Sequence, residues 1–262
     1  MGQGAPFVIL HGLYGSSDNW FSIAKIFAQK FEVFLPDQRN HGHSPHSSEL
    51  NYEILANDLY EFLSAHSLQK AIILGHSMGG KTAMLFATMH PEMVESLIIV
   101  DIAPKAYKSL TTQHPHVLQH LNILNAMMTV DVAEKKSRAE IEHEFSLYVP
   151  EAAIRHFLLK NVSRNNDGKF KWNINVKALH DSLPQLLDGL NLEKFNVDIS
   201  LMQFPVLFIR GEKSDYISDE DIVDLKKYFP KSELITIFDA GHWVHSEQPD
   251  LFVKSVNYFL EK

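Results

Sequence analysis

One serine of the sequence lies in a pattern that is typical of a catalytic nucleophile. Residues 75–79 read GHSMG, which places Ser77 at the centre of a G-x-S-x-G pattern after the apolar run 71–74. Between a strand and a helix this pattern predicts a turn so tight that side chains two residues before and after the serine would collide. The turn forces Ser77 into strained backbone angles and exposes its hydroxyl at the carboxyl edge of a sheet. The alternative interpretation is an ordinary Gly-Ser turn.

A serine hydroxyl is a weak nucleophile, so it needs a base that an acid orients. Among the 15 histidines, His242 is the best candidate for the base, because it follows the last predicted strand and comes after Ser77 in the chain. Parallel strands end at one edge of a sheet, which predicts that His242 and Ser77 meet there. The alternative is a loop histidine that is merely exposed or packed.

Two aspartates are candidates for the acid. Asp215 follows the strand predicted at 206–209, but it comes one residue later than the usual Gly-x-x-Asp spacing, where Ser214 stands. Asp101 ends the apolar run 97–100, and a carboxylate there is costly to bury unless it is paired. We favour Asp101 as the acid, with Asp215 as the alternative.

The oxyanion of an acyl-transfer reaction needs two backbone N–H groups that point at one position. We expect these groups to be the N–H of Leu13, at the end of the first predicted strand, and the N–H of Met78, directly after the nucleophile. Trp243, His76 and Tyr14 are the candidate substrate-binding side chains. This chemistry requires no metal and no organic cofactor.

Strands alternate with helices at both ends of the chain. Apolar runs predict strands at residues 7–10, 31–35, 71–74, 97–100, 206–209 and 233–238, and helical spacing predicts helices at 18–29, 52–65, 78–89, 219–228 and 249–260. This alternation predicts an α/β fold, a mostly parallel sheet with helices on both faces. Residues 105–202 show no convincing strand, so we interpret them as a helical cap insertion on a core of residues 1–104 and 203–262.

The amino-acid composition disfavours several classes of binding partner. The chain has 262 residues and a formal net charge of −8, which disfavours binding to nucleic acids and anionic membranes. No run approaches 18 apolar residues, so no stable membrane insertion is expected. The absence of cysteine excludes disulfides and cysteine catalysis, and three histidines within residues 41–46 fit no standard zinc pattern. The first residues do not resemble a signal peptide, so we expect a cytoplasmic protein.

Together these motifs resemble the α/β-hydrolase superfamily, and more closely the bacterial YbfF-type esterases. The segments that carry the resemblance are 11–16 (HGLYGS), 37–44 (DQRNHGHS), 75–81 (GHSMGGK), 101–104 (DIAP), 157–160 (FLLK) and 241–245 (GHWVH). The resemblance implies a carboxylesterase for acyl esters, with acyl-CoA thioesters as further candidate substrates, and a helical cap. It also supports Asp101 as the acid. Epoxide hydrolases and haloalkane dehalogenases of this fold carry an aspartate at the position of Ser77, so the serine excludes them.

The resemblance has one departure. The superfamily usually begins with an antiparallel hairpin, but only six residues precede the strand predicted at 7–10, so we expect the hairpin to be missing. The strand at 31–35 would then lie at a sheet edge. We expect a monomer or a homodimer, with the edge paired across the dimer in the second case.

Two alternatives to the esterase remain. A carbon–carbon bond hydrolase would use the same triad on a different substrate, and a non-catalytic binding protein could use the same fold. The second alternative predicts a broken triad, whereas every expected residue type is present.

Overall fold

Six strands form one parallel sheet in the computed structural model. The model describes residues 1–107, 115–195 and 202–262, except for the side chains of residues 115 and 195. The strands of the chain are β1 (Ala5–Leu10), β2 (Phe31–Phe34), β3 (Ala71–His76), β4 (Val94–Val100), β5 (Val162–Arg164), β6 (Phe170–Trp172), β7 (Val206–Gly211) and β8 (Ser232–Ile237). The helices are α1 (Phe21–Phe27), α2 (Tyr52–Ala65), α3 (Met78–Met89), α4 (Pro115–Thr129), α5 (Arg138–Phe145), α6 (Ala152–Leu159), α7 (Val176–Leu186), α8 (Asp221–Tyr228), α9 (Val244–Glu247) and α10 (Pro249–Leu260). None of the helices in the described ranges is long and apolar enough to cross a membrane.

The main sheet has the strand order β2-β1-β3-β4-β7-β8, and every neighbouring pair is parallel. The predicted parallel α/β sheet is therefore confirmed, with boundaries that shift by a few residues. Because all six strands run in one direction, the residues that follow β1, β3, β4, β7 and β8 meet at one edge of the sheet.

The sheet separates two hydrophobic cores. Phe7 and Ile9 of β1 pack in one core with Phe27 of α1 and Phe252 of α10, and Val8 lies in the other core. The division follows from the geometry of a strand, whose successive side chains point to opposite faces. Helices cover both faces, as predicted, and the strands between them are apolar on both sides.

Strand β2 lies at one edge of the sheet, as the sequence predicts. Its outer side is partly paired, because the N–H of Val33 donates to the carbonyl of Met1 (2.7 Å) and the amino group of Met1 donates to the carbonyl of Val33 (2.8 Å). Met1 thus satisfies two backbone groups that an open edge strand would leave exposed.

The described part of residues 105–202 is mainly helical, but the expectation that it contains no strand is wrong. Strands β5 and β6 form an antiparallel hairpin there, beside helices α4 to α7. The turn is held by the side chain of Asn165, which accepts from the N–H groups of Asp167 (3.0 Å) and Lys169 (2.9 Å), and by Gly168 at φ +76°. Each strand has only three residues, too few for alternation to appear in the sequence.

Candidate active site

Ser77 lies in the tight turn between β3 and α3 that its motif predicts. Its backbone angles are φ 53° and ψ −119°, a conformation that L-residues rarely adopt. A Cβ on Gly75 would lie 2.2 Å from the carbonyl oxygen of Gly79, so a side chain cannot be accommodated there. The Ser77 side chain precedes α3 but makes no capping hydrogen bond, in contrast to an ordinary N-cap serine. The hydroxyl is therefore not used to satisfy the helix.

His242 and Asp101 form a hydrogen-bonded pair at the same edge of the sheet. Nδ1 of His242 donates to Oδ2 of Asp101 at 2.8 Å, so in the tautomer with its proton on Nδ1 the other ring nitrogen, Nε2, is an acceptor. Asp101 is fully buried, and its other oxygen accepts from the N–H of Gly211 at 3.0 Å. The hydroxyl of Ser214 also donates to Oδ2 of Asp101. These donors compensate for the burial of the carboxylate.

Asp215, the alternative acid, points elsewhere. Its side chain is 73% exposed, and its Oδ1 lies 2.8 Å from Nε2 of His116 in α4. The loop after β7 therefore turns Ser214 toward Asp101 and turns Asp215 toward His116 at the exposed side of the cavity. The structure brings His242 together with Asp101 and not with Asp215.

Two aromatic rings hold the His242 imidazole in place. The ring of Tyr216 stacks on it with a centroid distance of 4.0 Å and an interplanar angle of 22°. On another side, Nε2 of His76 donates to the carbonyl of His242 at 2.9 Å. Burial, with a smaller effect of the charge on His242, holds the pKa of His76 well below its usual value, so His76 stays neutral beside the base. His76, a predicted substrate-binding residue, lines the cavity but also anchors the loop of His242.

The two predicted oxyanion donors are backbone groups that have no acceptor among the described residues. Neither the Leu13 N–H nor the Met78 N–H donates to an acceptor in the described part of the chain. The loop after β1 lies directly against the nucleophile, since a Cβ on Gly12 would lie 3.1 Å from Cβ of Ser77. The glycine is required for this close approach. Met78 begins α3, so its N–H lies at the positive end of the helix dipole.

Ser77 and His242 line a cavity of about 190 Å³. The loop after β1 supplies Leu13 and Tyr14, and helices α4 and α6 supply apolar side chains that include Ile123 and Phe157. Trp243, a predicted substrate-binding residue, lines the cavity and packs on Phe157 with ring centroids 5.6 Å apart. The cavity is therefore enclosed partly by the sheet edge and partly by helices from residues 115–159.

Tyr14, the third predicted substrate-binding residue, is buried and has φ 62°. Its N–H donates to Nε2 of His41 (3.3 Å), and its carbonyl accepts from the side chain of Asn161 (2.7 Å). His41 also donates through Nδ1 to the carbonyl of Arg39 (2.9 Å), and burial lowers its pKa to about 3. A neutral His41 thus supports the strained loop that carries Leu13 and Tyr14.

Sequence reasoning did not assign roles to Ser214, Tyr216 and His120. The first two lie close to Asp101 in the loop after β7. Their only signal in the sequence was that Ser214 stands where the usual spacing places an aspartate, with Asp215 one residue later. His120 lies in α4 and lines the cavity. Nothing in its local sequence relates it to the residues after β1.

Comparison with known families gives the same fold. The family model described as "alpha/beta hydrolase fold" matches residues 5–249 of this chain. The match includes all of the strands of the main sheet and the segments that contain Ser77, Asp101 and His242.

Three known proteins are similar over nearly the whole chain. The sn-1-specific diacylglycerol lipase ABHD11 of Danio rerio is 36% identical over 99% of this chain and 80% of its own length. Esterase YbfF of Escherichia coli is 34% identical over 98% of this chain and 93% of its own length. A solved structure described as a marine microorganism esterase is 44% identical, with a TM-score of 0.93 over 98% of this chain and 96% of that one.

Proposed function

This chain belongs to the α/β-hydrolase family and has the fold and relatives of a carboxylic ester hydrolase, and we propose that it hydrolyses acyl esters through an acyl-enzyme on Ser77. The observation that carries the proposal is the His242–Asp101 hydrogen bond of 2.8 Å in a cavity that Ser77 also lines. A base with its Nδ1 held by a buried carboxylate has its Nε2 free to accept the proton of a serine. We propose Ser77 as nucleophile, His242 as base and Asp101 as the acid that orients it.

In the first half of the reaction, Oγ of Ser77 attacks the ester carbonyl carbon and its proton passes to Nε2 of His242. The negative oxygen that forms is held by the N–H groups of Leu13 and Met78. The bond from the carbonyl carbon to the alcohol oxygen then breaks, and His242 returns its proton to that oxygen. The alcohol leaves, and the acyl group remains on Ser77.

In the second half, water replaces the alcohol. His242 takes one proton from the water, whose oxygen attacks the acyl carbon, and the oxyanion is held by the same N–H groups. The bond to Oγ breaks, Ser77 recovers its proton from His242, and the carboxylic acid is released. Throughout, Asp101 keeps Nδ1 of His242 protonated and stabilises the imidazolium.

The cavity suggests a limit on the size of the acyl group. Its volume of about 190 Å³ is little larger than the roughly 150 Å³ cavity that holds one benzene molecule in a protein interior. We therefore propose short acyl chains of roughly four to six carbons as the best substrates. We also propose that residues 105–202 act as a cap, because Ile123 and Phe157 from this region line the cavity.

A fluorophosphonate probe tests the nucleophile. We expect intact protein to be labelled at Ser77 with loss of esterase activity, and Ser77→Ala to be neither labelled nor active. Folded protein that hydrolyses no ester and is never labelled would refute the proposal and favour a binding protein. A substrate panel of butanoyl esters, a butanoyl thioester and a vinylogous 1,5-diketone acid separates an esterase from a thioesterase and from a carbon–carbon bond hydrolase.

A further inference from the structure

Tyr14 and His120 form a polar pair in the wall of the active-site cavity. The hydroxyl of Tyr14 lies 3.2 Å from Nδ1 of His120, and the ring centroids are 5.7 Å apart. Both residues line the cavity, in which the neighbouring residues from helices α4 and α6 include the apolar Ile123, Ile154 and Leu158. Their mutual hydrogen bond compensates for part of the cost of burying these two polar groups, and each group keeps a further hydrogen-bonding position.

The pair is electrically neutral. Burial, with smaller effects of the charges on His242 and His116, lowers the pKa of His120 to about 3. Burial also raises the pKa of Tyr14 well above its usual value. At neutral pH the pair therefore consists of an un-ionised imidazole and an un-ionised phenol.

A neutral pair of this kind offers both a donor and an acceptor. If the Tyr14 hydroxyl donates to Nδ1, the proton of His120 is on Nε2, which becomes the donor, while the phenol oxygen can still accept. If Nδ1 of His120 donates instead, the Tyr14 hydroxyl becomes the donor and Nε2 the acceptor. In either state the pair complements an alcohol, which also donates and accepts, and it provides no positive charge for a carboxylate.

The pair is linked to the base through α4 and Tyr216. His116 and His120 are four residues apart and share one face of α4. The ring of His116 packs on Tyr216 with centroids 4.0 Å apart, and Tyr216 stacks on His242 at the same distance. In the proposed mechanism His242 gives its proton to the departing alcohol oxygen, so we expect the alcohol portion on the side of the cavity where His242 and the residues linked to it lie.

We infer that Tyr14 and His120 form a subsite that binds a free hydroxyl in the alcohol portion of the ester, so that this enzyme prefers esters of polyols to esters of plain alkyl alcohols. The inference rests on the proposed esterase function and adds the residues that select the alcohol. The backbone hydrogen bonds of Tyr14 with His41 and Asn161 hold it in its strained conformation, which orients the hydroxyl before substrate binds.

Two esters of equal size test the subsite. In 2-hydroxyethyl butanoate a hydroxyl replaces the terminal methyl group of propyl butanoate, and each enzymatic rate is divided by the rate of the same ester with hydroxide. A site with a buried polar pair loses its hydrogen bonds with the methyl compound, so we expect kcat/KM to be about tenfold higher for the hydroxyl ester. Tyr14→Phe and His120→Phe should each lower that ratio to within about twofold of one.

Controls separate the subsite from folding and from the nucleophile. Tyr148→Phe removes an exposed phenol hydroxyl outside this cavity and should keep the tenfold ratio. Because Tyr14 and His120 act as one unit, the double variant should lower the ratio no further than either single variant. Labelling of Ser77 by a fluorophosphonate shows that each variant retains an intact nucleophile.

The outcomes are distinct. A ratio near one in the wild-type protein, with labelling and hydrolysis intact, overturns the subsite and leaves the esterase proposal standing. A wild-type ratio of about ten that both single variants retain also overturns it. Failure of the wild-type protein to label or to hydrolyse either ester removes the esterase itself and the subsite with it.

Discussion

Replacement of Asp101 by asparagine tests the proposed acid most directly. Oδ1 of Asp101 accepts from the N–H of Gly211 at 3.0 Å, and Oδ2 accepts from Nδ1 of His242 at 2.8 Å. Asparagine has a single oxygen, so one of these donors must lose its acceptor. If the oxygen stays with Gly211, the new NH₂ group faces His242.

The size of the effect follows from the tautomer of His242. An NH₂ group that faces Nδ1 favours the ring form with its proton on Nε2, and that form cannot accept the proton of Ser77. The same change in an unrelated serine protease lowers kcat by about 10⁴, which corresponds to about 5 kcal/mol of lost transition-state stabilisation. We expect a decrease of that order here, because Asp101 is fully buried and water cannot replace the lost carboxylate.

The assay compares Asp101→Asn with Asp215→Asn. Steady-state kcat and kcat/KM are measured with 4-nitrophenyl butanoate at pH 8, and thermal unfolding by circular dichroism checks that both variants fold. Asp215 is 73% exposed and pairs with His116, so we expect its variant to lose less than about threefold in kcat. The reasoning is refuted if folded Asp101→Asn keeps more than about a tenth of the wild-type kcat, or if only Asp215→Asn collapses.

Three further predictions concern the acid, the acyl pocket and pH. In the exchange variant Asp101→Ser/Ser214→Asp, a carboxylate at position 214 can reach His242, because Ser214 and His242 both hydrogen-bond to Oδ2 of Asp101 in the wild-type protein. We expect kcat of this variant to be at least about tenfold higher than kcat of Asp101→Ser alone, and equal kcat values would contradict this. Phe157→Ala enlarges the cavity, so kcat/KM for a dodecanoyl ester, divided by kcat/KM for the butanoyl ester, should rise by about tenfold or more. An unchanged ratio would show that Phe157 does not limit the length of the acyl chain. Burial lowers the pKa of His41 and His245 to about 3, below the value near 6.5 that each has in the unfolded chain. The contribution of the two neutral side chains to folding stability is therefore complete above pH 6.5 and is lost as the pH falls toward 3. Between pH 7 and pH 5 each of these two histidines should lower the free energy of unfolding, measured with urea, by about 2 kcal/mol. The variant His245→Phe should lose one of these two contributions to the pH dependence. An unchanged pH dependence in that variant would argue against a neutral buried His245.

The parts of the site that the sequence predicted are those that local geometry controls. The turn around Ser77 depends on a few consecutive residues, since a Cβ at position 75 would collide with the carbonyl of Gly79. Alternation of apolar runs with helical segments likewise determined a parallel sheet, whose strands end at one edge. The positions of Asp101 and His242 after their strands were therefore enough to bring both to the edge where Ser77 lies.

Contacts between distant segments were decided only by the tertiary structure. The strands β5 and β6 are too short for a periodic signal, and their hairpin becomes visible only through its pairing and turn. Which aspartate contacts His242 depends on the path of the loop after β7, which turns Asp215 toward His116 of α4. The pairing of Tyr14 with His120 spans 106 residues of sequence. Neither residue carries a local pattern for the other, because such contacts arise from how the helices pack over the sheet edge.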